Sequence, residues 1–252
     1  MKNRLFSTLG AFLLLGGAAS AQIADQYAPP RSNCCLVNSA KNLADQLQDW
    51  NQLGRYYADN EKLKAQPAEP GRVVFMGDSI TDGWRLANYF PGKPYVNRGI
   101  SGQVTAQMLV RMMPDVIALK PAALLIYAGT NDIAANNGPQ TLQMIEDNLQ
   151  AMTELAQAHG IKVILCSVTP ISDYARKQTV QRPPADILRL NAWLKDYAGR
   201  VNAVYADYFS ALVDEAGMMK NGFSGDGLHP NDKGYVLMVP VAEAAIAKAL
   251  QK

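Results

Sequence analysis

Between residues 72 and 206, short apolar runs alternate with longer stretches whose apolar side chains recur every three or four positions. The runs at 72–76, 95–97, 123–128, 162–168 and 203–206 have strand length and show little polar alternation, as strands buried on both faces do. The stretches between them predict helices over 78–88, 103–119, 140–159 and 186–198. The third is the clearest, with Leu142, Ile145, Leu149, Met152 and Leu155 on one face and Gly160 as its stop. A last helical stretch, 231–250, contains Pro240, which is expected to kink or interrupt it. Strands alternating with helices predict a parallel sheet covered on both sides, a single three-layer α/β/α domain of about five strands.

Ahead of this pattern, Leu43, Leu47, Trp50, Leu53 and Tyr57 are spaced as on an amphipathic helix within 36–64, expected to pack on the flank of the domain. Two prolines and a glycine in 65–71 end it, and the polar, Pro-containing residues 22–35 read as a loose arm. The first 21 residues have the form of a cleaved export signal. Lys2 and Arg4 give a basic start, residues 5–17 are apolar, and Ala19, Ser20 and Ala21 make a small-residue cleavage site. The apolar run is too short to span a bilayer, so no stable membrane anchor is expected. The chain thus divides into an export segment (1–21), an N-terminal arm and helix (22–70) and the α/β domain (71–252), with a periplasmic or extracellular destination.

Removing the export segment also removes the slight basicity. The whole chain has 24 basic and 22 acidic residues, and without Lys2 and Arg4 there are 22 of each. Nothing then points to nucleic acid or an anionic membrane as partner. Cys166 falls in an apolar run and reads as a core thiol, whereas Cys34 and Cys35 near the N-terminus leave their redox state open. Three cysteines without histidine-rich spacing do not make a zinc site.

Chemistry concentrates where strands hand over to helices. In RVVFMGDSITDGW (72–84) a buried strand turns directly into a helix at Asp78 and Ser79, the edge at which open α/β folds bind ligands. Ser79 is the candidate nucleophile, and it needs a base, a carboxylate to orient that base, and donors for an oxyanion. There are two histidines: His159 precedes Gly160 at a helix end and reads as structural, whereas His229 lies in the loop DGLHP with Asp226 three residues before it. That spacing lets Asp226 hold one imidazole nitrogen while the other faces the serine. After the second and third strands come NRGISG (97–102) and AGTND (128–132), from which the Gly99 N–H and the Asn131 amide join the Ser79 N–H as expected oxyanion donors. Asp78 and Asp132 are expected to hold the loops through backbone N–H groups. A two-metal site built from Asp78, Asp82, Asp132, Asp226 and His229 is the competing reading, weakened by its single histidine.

GDSITDGW, RGISG, GTND and DGLHP, in this order on successive strand ends, resemble the GDSL or SGNH hydrolase family, and within it the platelet-activating-factor acetylhydrolase-like and short-chain acylesterase branch. The resemblance runs from about Val73 to the C-terminus. It implies a flavodoxin-like sheet and serine ester hydrolysis with no cofactor and no metal, with Ser79, Asp226 and His229 catalytic and Ser79, Gly99 and Asn131 forming the oxyanion hole.

The substrate is less legible. Trp84, Ile100, Ile133 and Leu228 flank the motifs and are the expected acyl-pocket residues, while the long loop 169–185, with Tyr174 and Arg176, borders the alcohol side or is a plain surface connection. Export and the family together suggest a small-molecule or glycan ester as partner, O-acetylated carbohydrate first. A longer-acyl lysophospholipase or thioesterase, a glycan O-acetyltransferase and a non-catalytic glycan binder are the alternatives.

Overall fold

The computed structural model describes residues 47–251; the expected export segment, the arm at 22–35 and both Cys34 and Cys35 lie outside it. The helix expected within 36–64 is present as α1, Tyr57–Lys64, while residues 49–56 form turns. Of its predicted apolar face, Leu43 lies outside the described residues, and Leu47, Trp50, Leu53 and Tyr57 are all exposed; the buried residue of α1 is Asn60. Asn60 donates to Asp115 Oδ1 at 2.6 Å and accepts from Arg98 Nε at 3.0 Å, so polar contacts that spacing alone does not reveal join Leu63, which packs on the core, in holding this helix.

Strand β1 (Val73–Gly77) leads into the one-turn α2 (Ser79–Asp82) and then α3 (Leu86–Tyr89). Strand β2 (Tyr95–Gly99) is followed by α4 (Thr105–Val110), α5 (Met112–Asp115) and a 3₁₀ turn, so the helix expected at 103–119 is broken into three pieces. Strand β3 (Ala123–Tyr127) gives way to the short α6 (Thr130–Ile133) and the long α7 (Leu142–Ala158), and β4 (Lys162–Cys166) to α8 (Pro184–Arg200). Strand β5 (Val204–Ala206), the unpredicted α9 (Tyr208–Leu212) and α10 (Asp232–Gln251) complete the chain. Pro240 does not interrupt α10, which is assigned as one helix through it.

All pairings are parallel and the strand order is β2-β1-β3-β4-β5. Alternate side chains of each strand feed opposite layers, as the period of two requires. Val74, Met76, Leu124, Ile126, Val163 and Leu165 meet α4, α7 and α8, while Phe75, Leu125, Tyr127, Ile164 and Cys166 meet α2, α9 and α10. This is the expected three-layer α/β/α arrangement with a flavodoxin-like strand order. In that order the chain leaves β1 toward β2 on one side and returns to β3 on the other, which opens a crevice at the C-terminal ends of β1 and β3.

Candidate active site

Ser79 opens α2 at that crevice and is part-exposed between buried neighbours. Asp78, wholly buried, caps the helix by accepting the Ile80 N–H on Oδ1 at 2.9 Å, while Oδ2 has no partner among the described residues. Burial pushes the Asp78 carboxyl up to about 7, against the pull of the Ile80 N–H. Asp132 is likewise raised by burial, to about 6, and accepts the Thr105 N–H and hydroxyl, which ties the start of α4 to α6. Both aspartates therefore serve the loops, as their place in the motifs suggested.

The structure brings Ser79, His229 and Asp226 into one hydrogen-bonded line across 150 positions of sequence. Ser79 Oγ lies 2.9 Å from His229 Nε2, and His229 Nδ1 lies 2.6 Å from Asp226 Oδ2. The other carboxylate oxygen, Oδ1, accepts the N–H groups of Leu228 and His229, both at 2.9 Å, and the Ser224 hydroxyl at 3.0 Å. Partial burial acts to raise the Asp226 carboxyl, but these N–H donors and the imidazole outweigh it and hold the group well below the usual carboxylate range. His159, by contrast, caps the end of α7 at the surface, away from these groups.

The loop 169–185 is more than a surface connection. The Ser172 N–H donates to Gly227 O at 2.8 Å, and Gln178 Nε2 donates to Asp226 O at 2.9 Å. Gly227 has φ +84°, and a Cβ there would stand 2.1 Å from Ser172 O, so the Asp226–His229 turn requires glycine to fit against this loop. Arg182, buried, then reaches from Gln178 Oε1 (3.1 Å) to Asn131 Oδ1 (3.5 Å) and bridges the two sides of the site. Tyr174 turns outward to Asp214 instead, at 2.7 Å.

Asn131 is buried on α6. Its Oδ1 also accepts from Asn136 Nδ2 at 2.9 Å, which fixes the amide so that Nδ2 faces the loop after β2, where one of its two hydrogens goes to Gln103 O at 3.1 Å. The second hydrogen has no partner among the described residues. The expectation for Gly99 needs correction. Its N–H is taken by Asn97 Oδ1 at 2.8 Å, and its missing side chain serves packing, because a Cβ would lie 2.1 Å from Asp82 N. The N–H without a partner among the described residues in this loop is that of Gly102, at φ +82°. The signal for it was present in RGISG, where two glycines stand three apart and only one belongs to the strand.

The four apolar residues expected to line an acyl pocket are in the core. Trp84, Ile100, Ile133 and Leu228 retain 2, 3, 0 and 6 % exposure, with Trp84 stacked on Tyr235 in the layer of α10. Sequence reasoning also missed the buried charges under the loop after β2. Arg111 donates to Gln103 Oε1, Asp115 Oδ2, Arg98 O and Gly77 O, and so pins the ends of β1 and β2 together. Its position four residues from Asp115 on an otherwise apolar helical stretch was the available hint. The aspartates of the competing metal reading have separate partners, and no group of three or more metal-ligating side chains converges among the described residues.

A parallel sheet with a serine at the switch crevice, a histidine beside it and amide donors on the flanking loops defines an α/β hydrolase of the serine type. Residues 75–237 match the GDSL-like lipase/acylhydrolase family, and the chain belongs to that family of carboxylic ester hydrolases. It is similar to a solved GDSL-like lipase from Bacteroides thetaiotaomicron, with 36% identity, 79% of this chain and 99% of that one covered, and a TM-score of 0.73. Esterase TesA of Pseudomonas aeruginosa is 27% identical over 186 residues, covering 67% of this chain and 84% of the relative. An acetylxylan esterase of Xylanibacter ruminicola is 27% identical over 229 residues, 73% of this chain but only 45% of that larger protein.

Proposed function

We propose that this protein is an exported esterase that removes short acyl groups, acetyl first, from carbohydrate hydroxyls through an acyl-enzyme on Ser79. The observation that carries the reading is the line Ser79 Oγ–His229 Nε2 (2.9 Å) and His229 Nδ1–Asp226 Oδ2 (2.6 Å). Ser79 Oγ attacks the ester carbonyl carbon as its proton passes to His229 Nε2. The carbonyl oxygen becomes an oxyanion received by the N–H groups of Ser79 and Gly102 and by Asn131 Nδ2. Collapse breaks the bond to the alcohol oxygen, which leaves with the proton from His229. A water molecule, deprotonated by His229, then attacks the Ser79 ester, releasing the carboxylic acid and restoring the serine.

Burial of Trp84, Ile100, Ile133 and Leu228 supports a short acyl group, since the motif residues then offer no apolar channel for a long chain. The acetylxylan esterase among the relatives and the balanced charge after residue 21 support a neutral polar alcohol. Export, and the division at residues 21 and 70, rest on the sequence of those segments. The test is p-nitrophenol release from acetate, butyrate, octanoate and palmitate esters by the wild type and Ser79→Ala. Acetate is expected to be the preferred substrate, and Ser79→Ala is expected to lose all turnover above background. A preference for octanoate or longer would overturn the short-acyl reading, and full activity in Ser79→Ala would overturn the nucleophile.

A further inference from the structure

A groove of about 580 Å³ opens beside the oxyanion loop, with Gly102 and Ser101 on one wall, Asn136 and Asn137 on another, and Trp50 and Gln52 on a third. The third wall comes from outside the family-matched residues 75–237. It is a tight turn in which the Asp49 carboxylate accepts the N–H groups of Leu53 (2.8 Å) and Gly54 (2.9 Å). The turn is clamped to the site by two amide side chains of the catalytic domain. Gln107 Nε2 donates to Trp50 O at 2.7 Å and Gln103 Nε2 to Asn51 O at 3.1 Å. Gln103 is the same residue whose carbonyl receives Asn131 Nδ2, so the wall and the expected oxyanion donor share a support.

The clamps fix the backbone of Trp50, a residue 42 % exposed whose indole has no aromatic or cation–π partner among the described residues. A large apolar ring held in place by polar anchors contributes little to the core and presents a flat face to whatever enters the groove. The side-chain amides of Gln52 and Asn137, both exposed, also have no partner among the described residues. One planar ring with unpaired amides around it suits a sugar ring, whose C–H face lies on an indole while its hydroxyls exchange hydrogen bonds with the amides. A fatty acyl chain would leave those amides unpaired, at a cost in binding.

We infer that the turn at Asp49–Gly54 is a specificity element whose Trp50 indole receives a sugar ring of an O-acylated oligosaccharide. The inference rests on the esterase reading above and adds to it a carbohydrate subsite supplied by the N-terminal segment.

The test compares acetate release from acetylated xylo-oligosaccharide with p-nitrophenol release from p-nitrophenyl acetate, which carries no sugar. For Trp50→Ala the ratio of the two kcat/KM values is expected to fall about tenfold against wild type, the scale of losing one well-placed aromatic contact. Trp50→Phe, which keeps a ring, is expected to recover most of that ratio. An unchanged ratio, whether neither rate moves or both fall in step, would overturn the subsite and leave the Ser79 chemistry standing. So would a wild type that cleaves p-nitrophenyl acetate but no acetylated oligosaccharide. A wild type inactive on every ester would instead remove the esterase reading, and the subsite with it.

Discussion

Ser79 and Asn131 stand on turns that leave the buried centre of the sheet, whereas Asp226 and His229 stand on a loop whose side chains are 40 and 43 % exposed. The carboxylates of the two regions respond in opposite directions. Asp78 and Asp132, sealed from water, are pushed upward toward neutrality. Asp226, half open to solvent and given three hydrogen-bond donors on one oxygen, is held low. The orienting role proposed for Asp226 needs an ionised carboxylate when the histidine takes a proton, and the exposed loop suits that role. A buried aspartate at a helix start keeps a proton near pH 7 and suits a cap. Position in the fold, more than residue type, decides which of the aspartates can carry a working charge.

The comparison can be broken most sharply at its exposed side. Asp226→Asn keeps the shape of the turn but removes the charge, and kcat on p-nitrophenyl acetate is expected to drop by roughly 10²–10⁴. A loss below about tenfold would mean that the exposed carboxylate does little for His229. On the buried side, Asn131→Ala is expected to cost about 10²–10³ in kcat, the usual effect of deleting one oxyanion donor. Thermal melts run alongside would separate this from unfolding, and an undiminished kcat would remove Asn131 from the oxyanion site.

The smallest effect is on stability. Asp78 keeps its proton in the native chain up to about 7, while the unfolded chain loses it near 3.8. Between those values the native state binds the extra proton, so wild-type stability falls as pH rises and levels off above the higher value. Asp78→Asn, which retains the Oδ1 acceptor for Ile80, is expected to escape that fall. Urea midpoints should therefore show the variant gaining on wild type from about pH 4 to about pH 7 and holding the gain at about pH 8. A difference that did not change with pH would place the charged form of Asp78 in the native state.

Much of this architecture was legible because both layers are fed by simple periodicities. The five strands lie where apolar runs stand, with shifts of one or two residues at their ends, and α7 occupies 142–158 against an expectation of 140–159. The motif order likewise placed Ser79, Asp226 and His229 together before any geometry was known. What escaped was decided by partners remote in sequence. Gly99 and Gly102 look alike in RGISG, and only the contact of Gly99 with α2 and Asn97 shows which of them has an N–H without a partner among the described residues. The spacing of Leu47, Trp50, Leu53 and Tyr57 imitated an amphipathic helix, yet this segment docks through Asp59 and Asn60 onto buried Arg98 and through the Tyr56 hydroxyl onto Gly99 O. Trp84 and Ile133 border motifs in sequence but point into the core, because each follows a strand end on a turn of helix that packs back on the sheet.

The polar seam between α1 and the sheet edge has a consequence for where this protein begins and ends as a foldable unit. Arg98 retains 2 % exposure and donates to Asp59 and Asn60, while Asp115, equally enclosed, accepts from Asn60. A chain cut back to the family-matched 75–237 would lose those partners, leaving the buried Arg98 guanidinium without its carboxylate and the Asp115 carboxylate to Arg111 alone among the described residues. It would also sever α10 at Leu237, ahead of Met238, Ala242 and Ile246, which cover one face of the sheet. The module recognisable by its motifs is thus smaller than the body that can hold them in place.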